Sequence, residues 1–181
     1  MIETANIPNR PDLDPQSKGH PVREARPSWD DYFMEVAALA AKRSTCLRRQ
    51  VGAAMVSGHR VLATGYNGAP GGMAHCLDIG CIREQRKIPS GERHELCRGI
   101  HAEQNTIIQA AKYCVNVDSA TLYCTHQPCT ICLKMLLNLN VVRLVFRAPY
   151  PDEFALNLLT EAGFVESQAG GLTVWAKKPT G

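Results

Sequence analysis

The sequence predicts an α/β domain, a three-layer α/β/α sandwich with a five-stranded mixed sheet. Two observations lead to this fold class. Segments with helical apolar spacing alternate with short apolar segments of strand length, and the composition, 45% hydrophobic and 20% charged, is that of a globular protein. The predicted order is α-β-β-α-β-α-β-α-β. Strands joined through helices should run parallel to each other, whereas the first two strands should form an antiparallel hairpin.

The beginning of the chain divides into an arm and a capped helix. Residues 1–27 contain five prolines and almost no apolar periodicity, so we expect a loose proline-rich arm, which could be held by a neighbouring subunit. The folded domain, 28–181, should begin at Ser28, which can cap a helix and stands three residues before Asp31. Apolar residues at helical spacing continue this helix to about residue 43.

Regular elements alternate along the rest of the chain, except in one long segment. The predicted elements are hairpin strands 51–56 and 61–66, a helix over 101–113, a strand over 120–125, a helix over 129–139, a strand over 141–146, a helix over 152–162 and a strand over 173–176. Residues 67–100 contain glycine, proline and three cysteines with little periodicity. A segment of that length without regular structure is usually functional or held by another interaction.

Composition and charge argue against several classes of protein. The net charge of +3 and the pI near 8.4 are below what a dedicated nucleic-acid-binding protein usually shows. No apolar run approaches the roughly 20 residues of a membrane-spanning helix, and the N-terminus lacks the apolar stretch of a secretory signal. We therefore expect a cytoplasmic protein without membrane or nucleic-acid partners, whose eight cysteines are thiols or metal ligands.

A metal-binding pattern joins two of the predicted helices. His101-Ala102-Glu103 is followed by Pro128-Cys129-Thr130-Ile131-Cys132, which is the H-x-E…P-C-x-x-C pattern of zinc deaminases. A catalytic zinc takes three protein ligands and keeps a fourth position for water. Two cysteines three residues apart at a helix start can direct both sulfurs to one point. The pattern therefore predicts a catalytic zinc bound by His101, Cys129 and Cys132 at the N-termini of two helices.

Glu103 is the predicted catalytic residue. It stands two residues after His101 and is not well placed to share the metal with it. Its expected role is proton transfer: it takes a proton from zinc-bound water, which becomes hydroxide, and returns one to the ring nitrogen and then to the departing ammonia. The alternative is a non-catalytic or competence-related protein with a structural zinc. Such a site needs no carboxylate beside an open zinc position, so Glu103 distinguishes the two hypotheses.

Beyond the zinc pattern, the chain from about Trp29 to Phe164 resembles deoxycytidylate deaminases, in the branch that includes the bacterial late-competence proteins. The matching segments are Ser44-Thr45-Cys46, Gln50-Val51-Gly52-Ala53, Thr64-Gly65-Tyr66-Asn67-Gly68-Ala69-Pro70, His75-Cys76, Gly91-Glu92-Arg93-His94-Glu95-Leu96-Cys97, His101-Ala102-Glu103-Gln104-Asn105 and Thr125-His126-Gln127-Pro128-Cys129. The resemblance implies a cytidine deaminase-like fold and the reaction dCMP + H₂O → dUMP + NH₃, which supplies dUMP for thymidylate synthesis. It also implies a homo-oligomer, commonly a hexamer, and many relatives are activated by dCTP and inhibited by dTTP.

The same resemblance implies a set of substrate-binding residues. Asn67 is expected to hydrogen-bond the sugar or the phosphate, although a turn residue in left-handed conformation is the alternative. Gly52 and Ala53 are expected to offer backbone groups at the pocket floor, where glycine allows close approach. Ala102 belongs to the same set. Tyr150 could close the pocket, or it could lie in the core.

A phosphate on the substrate would need cationic partners. Arg48, Arg49 and Arg60 are candidates, and a solvated helix end or turn is the alternative for each. A tRNA adenosine deaminase, or another nucleotide deaminase of the same fold, is the competing enzyme because it shares the zinc pattern. It would have to bind an RNA stem-loop, and such surfaces are usually strongly basic, so the net charge of +3 argues against it.

Cysteines outside the catalytic pattern predict a second, structural zinc. A loop as long as 67–100 cannot bury much apolar surface, so a bound metal would offset the entropy of closing it. The predicted ligands are Cys46, Cys76, His94 and Cys97, with Cys81 and His75 as substitutes. The resemblance also favours this site, since several relatives carry an extra zinc in this region. The alternative is a set of ordinary buried thiols.

Overall fold

A computed structural model of the chain describes residues 26–178. The predicted arm, 1–27, lies outside the described residues except for its last two. Helix α1 (Trp29–Ala41) begins after Ser28, whose Oγ accepts a hydrogen bond from the backbone N–H of Asp31 at 3.1 Å. The N-cap at Ser28 is therefore confirmed.

Each predicted helix and strand is present, with ends that differ from the prediction by no more than two residues. The elements after α1 are β1 (Gly52–Ser57), β2 (Arg60–Tyr66), α2 (Cys76–Ile79), α3 (Ile82–Gln85), a 3-10 turn (His94–Leu96), α4 (Ala102–Lys112), β3 (Thr121–His126), α5 (Thr130–Asn138), β4 (Arg143–Ala148), α6 (Glu153–Glu161), β5 (Phe164–Ala169) and β6 (Leu172–Lys177). The long segment 67–100 is thus interrupted only by single helical turns.

The sheet has six strands in the order β2-β1-β3-β4-β6-β5, one more than predicted. β1 and β2 form the predicted antiparallel hairpin, and β3 and β4, which are joined through α5, are parallel. The additional strand is β5, an edge strand that is exposed at every position except Phe164. Its middle residues are Glu166, Ser167 and Gln168, so no apolar run marked it in the sequence.

Because β5 was not predicted, the direction of the last strand was also predicted incorrectly. The strand over 173–176 was expected to run parallel to the strand before it, but β6 pairs antiparallel with β4. Since β5 also pairs antiparallel with β6, β5 has the direction of β4. The rule that strands joined through a helix are parallel therefore holds for β4, α6 and β5, and the prediction for β6 was wrong because the intervening strand turns the chain back.

Successive side chains of the sheet point into two separate cores. Ala54 and Val56 of β1 pack with Phe33 and other apolar residues of α1 on one face. Ala53 and Met55 point to the other face, where α4, α5 and α6 contribute the apolar side chains. The three-layer α/β/α architecture is therefore confirmed. None of the helices within residues 26–178 is both long and apolar enough to cross a bilayer.

An ion pair attaches α1 to the middle of the sheet. The guanidinium of Arg143 on β4 donates to both carboxylate oxygens of Asp30, at 2.7 and 2.6 Å, and the Tyr123 hydroxyl donates to Asp30 at 2.8 Å. The hydrogen bonds from Arg143 are the largest cause that holds the pKa of Asp30 below its ordinary value. This two-point contact fixes the start of α1 over β3 and β4.

Candidate active site

Three side chains from two helix ends form the metal-ligating cluster of the described chain. Within residues 26–178, the ligand atoms of His101, Cys129 and Cys132 are the one group of three that lie within 4.8 Å of one another. The Nδ1 atom of His101 is 3.4 Å from the Cys129 sulfur and 3.3 Å from the Cys132 sulfur. One imidazole nitrogen and two sulfurs fit zinc and leave a fourth tetrahedral position free. The three predicted ligands are therefore brought together.

Two of these ligands occupy N-cap positions. His101 is the N-cap of α4 and Cys129 the N-cap of α5, both with extended backbone. The side-chain oxygen of Gln104 accepts a hydrogen bond from the His101 N–H at 2.8 Å, which fixes the first turn of α4. The N-terminus of a helix carries a partial positive charge, so both helix ends stabilise thiolate and other anions at this point.

The two thiols lie in hydrogen-bonding contact with each other. A hydrogen bond from the Cys132 thiol is the largest cause that lowers the pKa of Cys129, against the effect of its burial. The same hydrogen bond raises the pKa of Cys132. Binding of a divalent cation by both sulfurs requires the loss of the thiol protons.

Glu103 lies next to the ligands with its side chain almost fully buried, 4% exposed. Burial raises the pKa of Glu103 to about 7, although the neighbouring His101 acts to lower it. A carboxyl group with a pKa near neutrality can both accept and release a proton. Glu103 also faces the cleft beside the metal ligands, so it can exchange a proton with a molecule bound there.

A glycine on β2 sets the position of α4. A Cβ atom at Gly65 would lie 2.4 Å from the Ala102 carbonyl oxygen and 2.5 Å from the Thr106 nitrogen, so only glycine permits this approach. The fully buried Thr106 donates its hydroxyl to the Ala102 carbonyl at 2.9 Å. Since Ala102 lies between His101 and Glu103, this contact fixes the depth of both functional side chains relative to the sheet.

Asp152 connects the start of α5 to the start of α6. Its carboxylate accepts hydrogen bonds from the Thr130 N–H at 2.7 Å and the Thr130 hydroxyl at 2.8 Å, and it caps α6 through the Ala155 N–H at 3.1 Å. Its backbone oxygen accepts from the Gln127 amide at 3.0 Å. Thr130 directly follows Cys129, so Asp152 holds the turn that presents the zinc-binding thiols.

The cleft beside the metal ligands is lined by part of the predicted substrate-binding set. Asn67, Ala102 and Tyr150 line it, and Gly52 and Ala53 do not. Ala53 is fully buried, with its side chain in the core between the sheet and helices α4, α5 and α6. A Cβ at Gly52 would lie 2.1 Å from the Ala37 carbonyl oxygen of α1, so this glycine serves helix packing. The packing against α1 is a reason for glycine that the sequence did not predict, and a role of Gly52 at the pocket floor stays a prediction.

Asn67 uses most of its hydrogen-bonding capacity within the protein. Its side-chain oxygen accepts from the Ser44 hydroxyl at 2.6 Å and the Val51 N–H at 2.8 Å, and its amide donates to the Arg49 carbonyl at 2.9 Å. One amide hydrogen is left for a ligand. Asn67 therefore closes the segment between α1 and β1, which carries Arg48 and Arg49.

The cationic wall of the cleft consists of Arg48, Arg49 and Arg83. The Nη1 atom of Arg48 and the Nε atom of Arg83 are buried without a hydrogen-bond partner among the described residues. Within the same range, none of the three arginines forms an ion pair. Arg60, the third predicted candidate, begins β2 and lies outside the cleft. Arg83 was missed because an isolated arginine in an irregular segment carries no sequence signal.

His94 lies beside the metal cluster, in the cleft that the cysteines of the long segment also line. Its Nδ1 atom is 3.1 Å from His101 Nε2, and its Nε2 atom is 3.3 Å from the Tyr150 hydroxyl. Burial, followed by the neighbouring His101, lowers the pKa of His94, so the ring is neutral at pH 7. Both ring nitrogens have partners, and the expectation that His94 binds a second metal stays a prediction.

The cysteines predicted for a second metal line another part of the same cleft. These are Cys46, Cys76 and Cys97, with Cys81 beside them. Burial raises the pKa of Cys76, and repulsion from the other three sulfurs adds to the effect, so the four lie within electrostatic range. Within residues 26–178 they do not reach the 4.8 Å spacing of the catalytic cluster.

Comparison with known proteins gives the family. Residues 27–148 match the model of the cytidine and deoxycytidylate deaminase zinc-binding region. The deoxycytidylate deaminase of Schizosaccharomyces pombe is 42% identical over 139 residues, which are 76% of this chain and 43% of that protein. ComE operon protein 2 of Bacillus subtilis is 38% identical over 144 residues, 79% of this chain and 72% of that protein.

A solved structure agrees in fold. The dCMP deaminase of cyanophage S-TIM5, in complex with dCMP and dUMP, superposes with a TM-score of 0.62 at 29% identity and covers 77% of this chain and 96% of its own. The matched region spans 43% and 45% of the two yeast deoxycytidylate deaminases, less than half of each. The family model, in contrast, covers more than half of this chain and includes all three metal ligands and Glu103. The chain therefore belongs to the cytidine and deoxycytidylate deaminase family.

Proposed function

We propose that this protein hydrolyses the exocyclic amine of dCMP and releases dUMP and ammonia. The observation that carries the proposal is the buried Glu103 carboxyl beside the His101, Cys129 and Cys132 donor set in one cleft. A structural zinc site has no use for such a carboxyl group. The dCMP deaminases among the relatives support the same substrate.

The residues of the site account for each proton in this reaction. A zinc ion held by His101, Cys129 and Cys132 would lower the pKa of water and so supply a nucleophile at neutral pH. Glu103 would take one proton from the attacking water and deliver it to N3 of the ring as the new C–O bond forms at C4. It then carries the second proton to the amino group, the C–N bond breaks, and ammonia leaves. No other titratable side chain is needed.

The arginine wall supports a phosphorylated nucleotide as the substrate. The unpaired Nη1 of Arg48 and Nε of Arg83 are donors whose burial is costly unless an acceptor meets them. A substrate phosphate would supply acceptor oxygens and neutralise the charge. We expect the phosphate near Arg48 and Arg49, with Asn67 donating its remaining amide hydrogen to the nucleotide.

A substrate panel tests the proposal. Activity should be highest on dCMP when dCMP, dCTP, deoxycytidine and an RNA stem-loop are compared. Arg48→Leu should raise KM for dCMP by about 10- to 100-fold, the loss expected for a hydrogen bond between charged groups, and leave KM for deoxycytidine unchanged. Arg60→Leu is the matched control, because Arg60 lies outside the cleft. Preference for deoxycytidine, or deamination of adenosine in the RNA, would contradict the proposal.

Glu103→Gln tests the proton-transfer role. The variant keeps all metal ligands and a similar shape, so we expect it to bind zinc normally and to lose at least the 10²–10⁴-fold in kcat that one general acid–base group contributes. Zinc content by atomic emission and the rate of ammonia release measure the two effects. Activity within tenfold of the unmodified protein would refute the assignment.

We also propose a second, structural zinc in the segment 67–100. Cys46, Cys76 and Cys97 are its ligands, and the position of His94 at the catalytic cluster favours Cys81 as the fourth. Metal analysis should find close to two zinc ions per chain, and one in Cys97→Ser. Cys114→Ser is the matched control, because Cys114 is exposed and free. One zinc per chain in the unmodified protein would exclude the second site.

We also propose that the protein is a cytoplasmic homo-oligomer whose activity is regulated by dCTP and dTTP. A homo-oligomer, commonly a hexamer in relatives, is supported by large apolar side chains on the surface, among them Leu39, Leu77 and Tyr113. All eight cysteines lie within residues 26–178 and are free, which favours the reducing cytoplasm. Light scattering with and without dCTP and dTTP, together with dCMP kinetics under the same conditions, tests the assembly and the two effectors.

A further inference from the structure

Three side chains outside the metal ligands form a line of contacts that ends on the zinc-binding imidazole. His101 Nε2 meets His94 Nδ1 at 3.1 Å, and His94 Nε2 meets the Tyr150 hydroxyl at 3.3 Å. The guanidinium of Arg49 lies over the Tyr150 ring, 5.4 Å from its centre. The line therefore crosses from the metal cluster to the cationic wall of the cleft.

We propose that His94 is the positioning residue of the metal ligand His101, and that it binds no metal itself. The proposal rests on the zinc site described under the proposed function. The direction of each hydrogen bond follows from which ring nitrogen carries the proton. His101 Nδ1 faces the two sulfurs and must offer its lone pair to the metal, so its proton is on Nε2. His101 therefore donates to Nδ1 of His94, and His94 donates from Nε2 to the Tyr150 oxygen.

This arrangement fixes the orientation of the ligand in a way that the helix alone does not. His101 is the N-cap of α4, so the helix holds its backbone, and the orientation of the ring depends on what the ring atoms contact. A partner at the far nitrogen restrains rotation of the ring and keeps it in the tautomer that binds metal. Partners of this kind typically contribute 10- to 100-fold to metal affinity or activity.

His94 is itself held on both sides. It begins the 3-10 turn His94–Leu96, after Arg93 in the left-handed conformation at φ 50°. Gly91, at φ 89°, brings the same loop against Tyr150, and a Cβ there would lie 3.5 Å from the hydroxyl. The loop thus packs against Tyr150 and places His94 between Tyr150 and His101.

The test measures metal release and needs no substrate. His94→Ala should fold and bind zinc at the unmodified stoichiometry, but a chelator should remove the catalytic zinc about 10- to 100-fold faster. His94→Asn places a carbonyl oxygen near the Nδ1 position and should restore most of the difference. In cobalt-substituted protein, the visible bands of the tetrahedral site should shift in His94→Ala and return in His94→Asn. His59→Ala, on the β1–β2 turn, is the matched control.

Two outcomes would overturn the proposal. If purified His94→Ala contains one zinc fewer per chain while its cobalt spectrum at the catalytic site is unchanged, His94 is a ligand of the second metal. If chelator rates and spectra equal those of the unmodified protein, His94 does not position His101. Failure of dCMP turnover in the unmodified protein would refute the proposed function alone, because neither measurement depends on dCMP. Circular dichroism checks folding, and His94→Asn keeps the test valid if His94→Ala does not fold.

Discussion

The carboxylate of Asp152 allows a prediction in which two substitutions separate two roles. Asp152→Ala removes the N-cap of α6, worth about 1 kcal/mol, and the charge-assisted hydrogen bonds to Thr130, worth about 1.5–3 kcal/mol. We expect a loss of about 3 kcal/mol in the free energy of unfolding. Asn is as good an N-cap as Asp, but its amide group would face the Thr130 N–H. Asp152→Asn should therefore keep the cap of α6 and the bond from the Thr130 hydroxyl, and lose only the hydrogen bond from the Thr130 N–H.

The assays are urea unfolding at constant zinc and the rate of zinc transfer to a chelator. Both variants should release zinc faster than the unmodified protein, since the turn after Cys129 is no longer held. Asp118→Ala is the control for loss of a carboxylate, because Asp118 is exposed and its carboxylate accepts hydrogen bonds from Ser119 and Asn140, neither of which is a metal ligand. An Asp152→Asn protein within 0.5 kcal/mol of the unmodified one, with the same zinc release rate, would refute the reasoning.

The same carboxylate gives a pH dependence with a definite sign. Burial acts to raise the pKa of Asp152, but hydrogen bonds from Thr130 and Ala155 outweigh it and hold the pKa below its ordinary value. A depressed pKa in the folded state stabilises the fold above the unfolded pKa, near 3.9, and this contribution is lost as the pH falls through the folded pKa. The stability difference between the unmodified protein and Asp152→Asn should be constant from about pH 5 to 7 and shrink below about pH 4.

Two further predictions concern helix placement. Gly65→Ala should destabilise the fold by about 2 kcal/mol or more and weaken zinc binding, because its Cβ would meet the backbone of α4; Gly71→Ala, with open space around it, should change stability by less than about 0.5 kcal/mol. Equal effects of the two, by urea unfolding and chelator competition, would contradict the packing argument. Asp30→Asn should lower the free energy of unfolding by about 1 kcal/mol through loss of the Arg143 ion pair, with little effect on zinc release. Since the pKa of Asp30 is depressed in the folded state, this difference in stability should shrink below about pH 4. A difference that persists at pH 3 would argue against the ion pair.

The sequence predicted the elements that carry their own signals. The H-x-E and C-x-x-C segments fix which residues meet at the metal, because each stands at a helix start whose apolar spacing is easily recognised. β5 gave no signal because an exposed edge strand needs neither alternation nor an apolar run. The packing of Gly52 against α1 was not predicted, because a glycine in a sequence does not show which neighbour would exclude a Cβ.

The sequence did not predict the side-chain contacts between segments that are far apart along the chain. Asp152 stands 22 residues from Thr130, and nothing in either segment indicates that one carboxylate caps two helices. His94 was predicted to bind a second metal with Cys97, but its ring contacts His101 and, from the chain after β4, Tyr150. In both cases the contact partner lies after β4, where residues 150–152 return to the metal cluster.

The position of β6 between β4 and β5 bears on where this catalytic module could be cut or exchanged. The family model ends at residue 148, the last residue of β4, yet the partner strand of β4 lies a further helix and strand along the chain. A fragment ending at that border would leave β4, with its buried Leu144, Val145 and Phe146, as an open edge available to other chains. It would also lack Tyr150 and Asp152. Recombination between family members should therefore exchange the chain through Lys177 as one unit, because the segment 27–148 lacks the strand that pairs with β4.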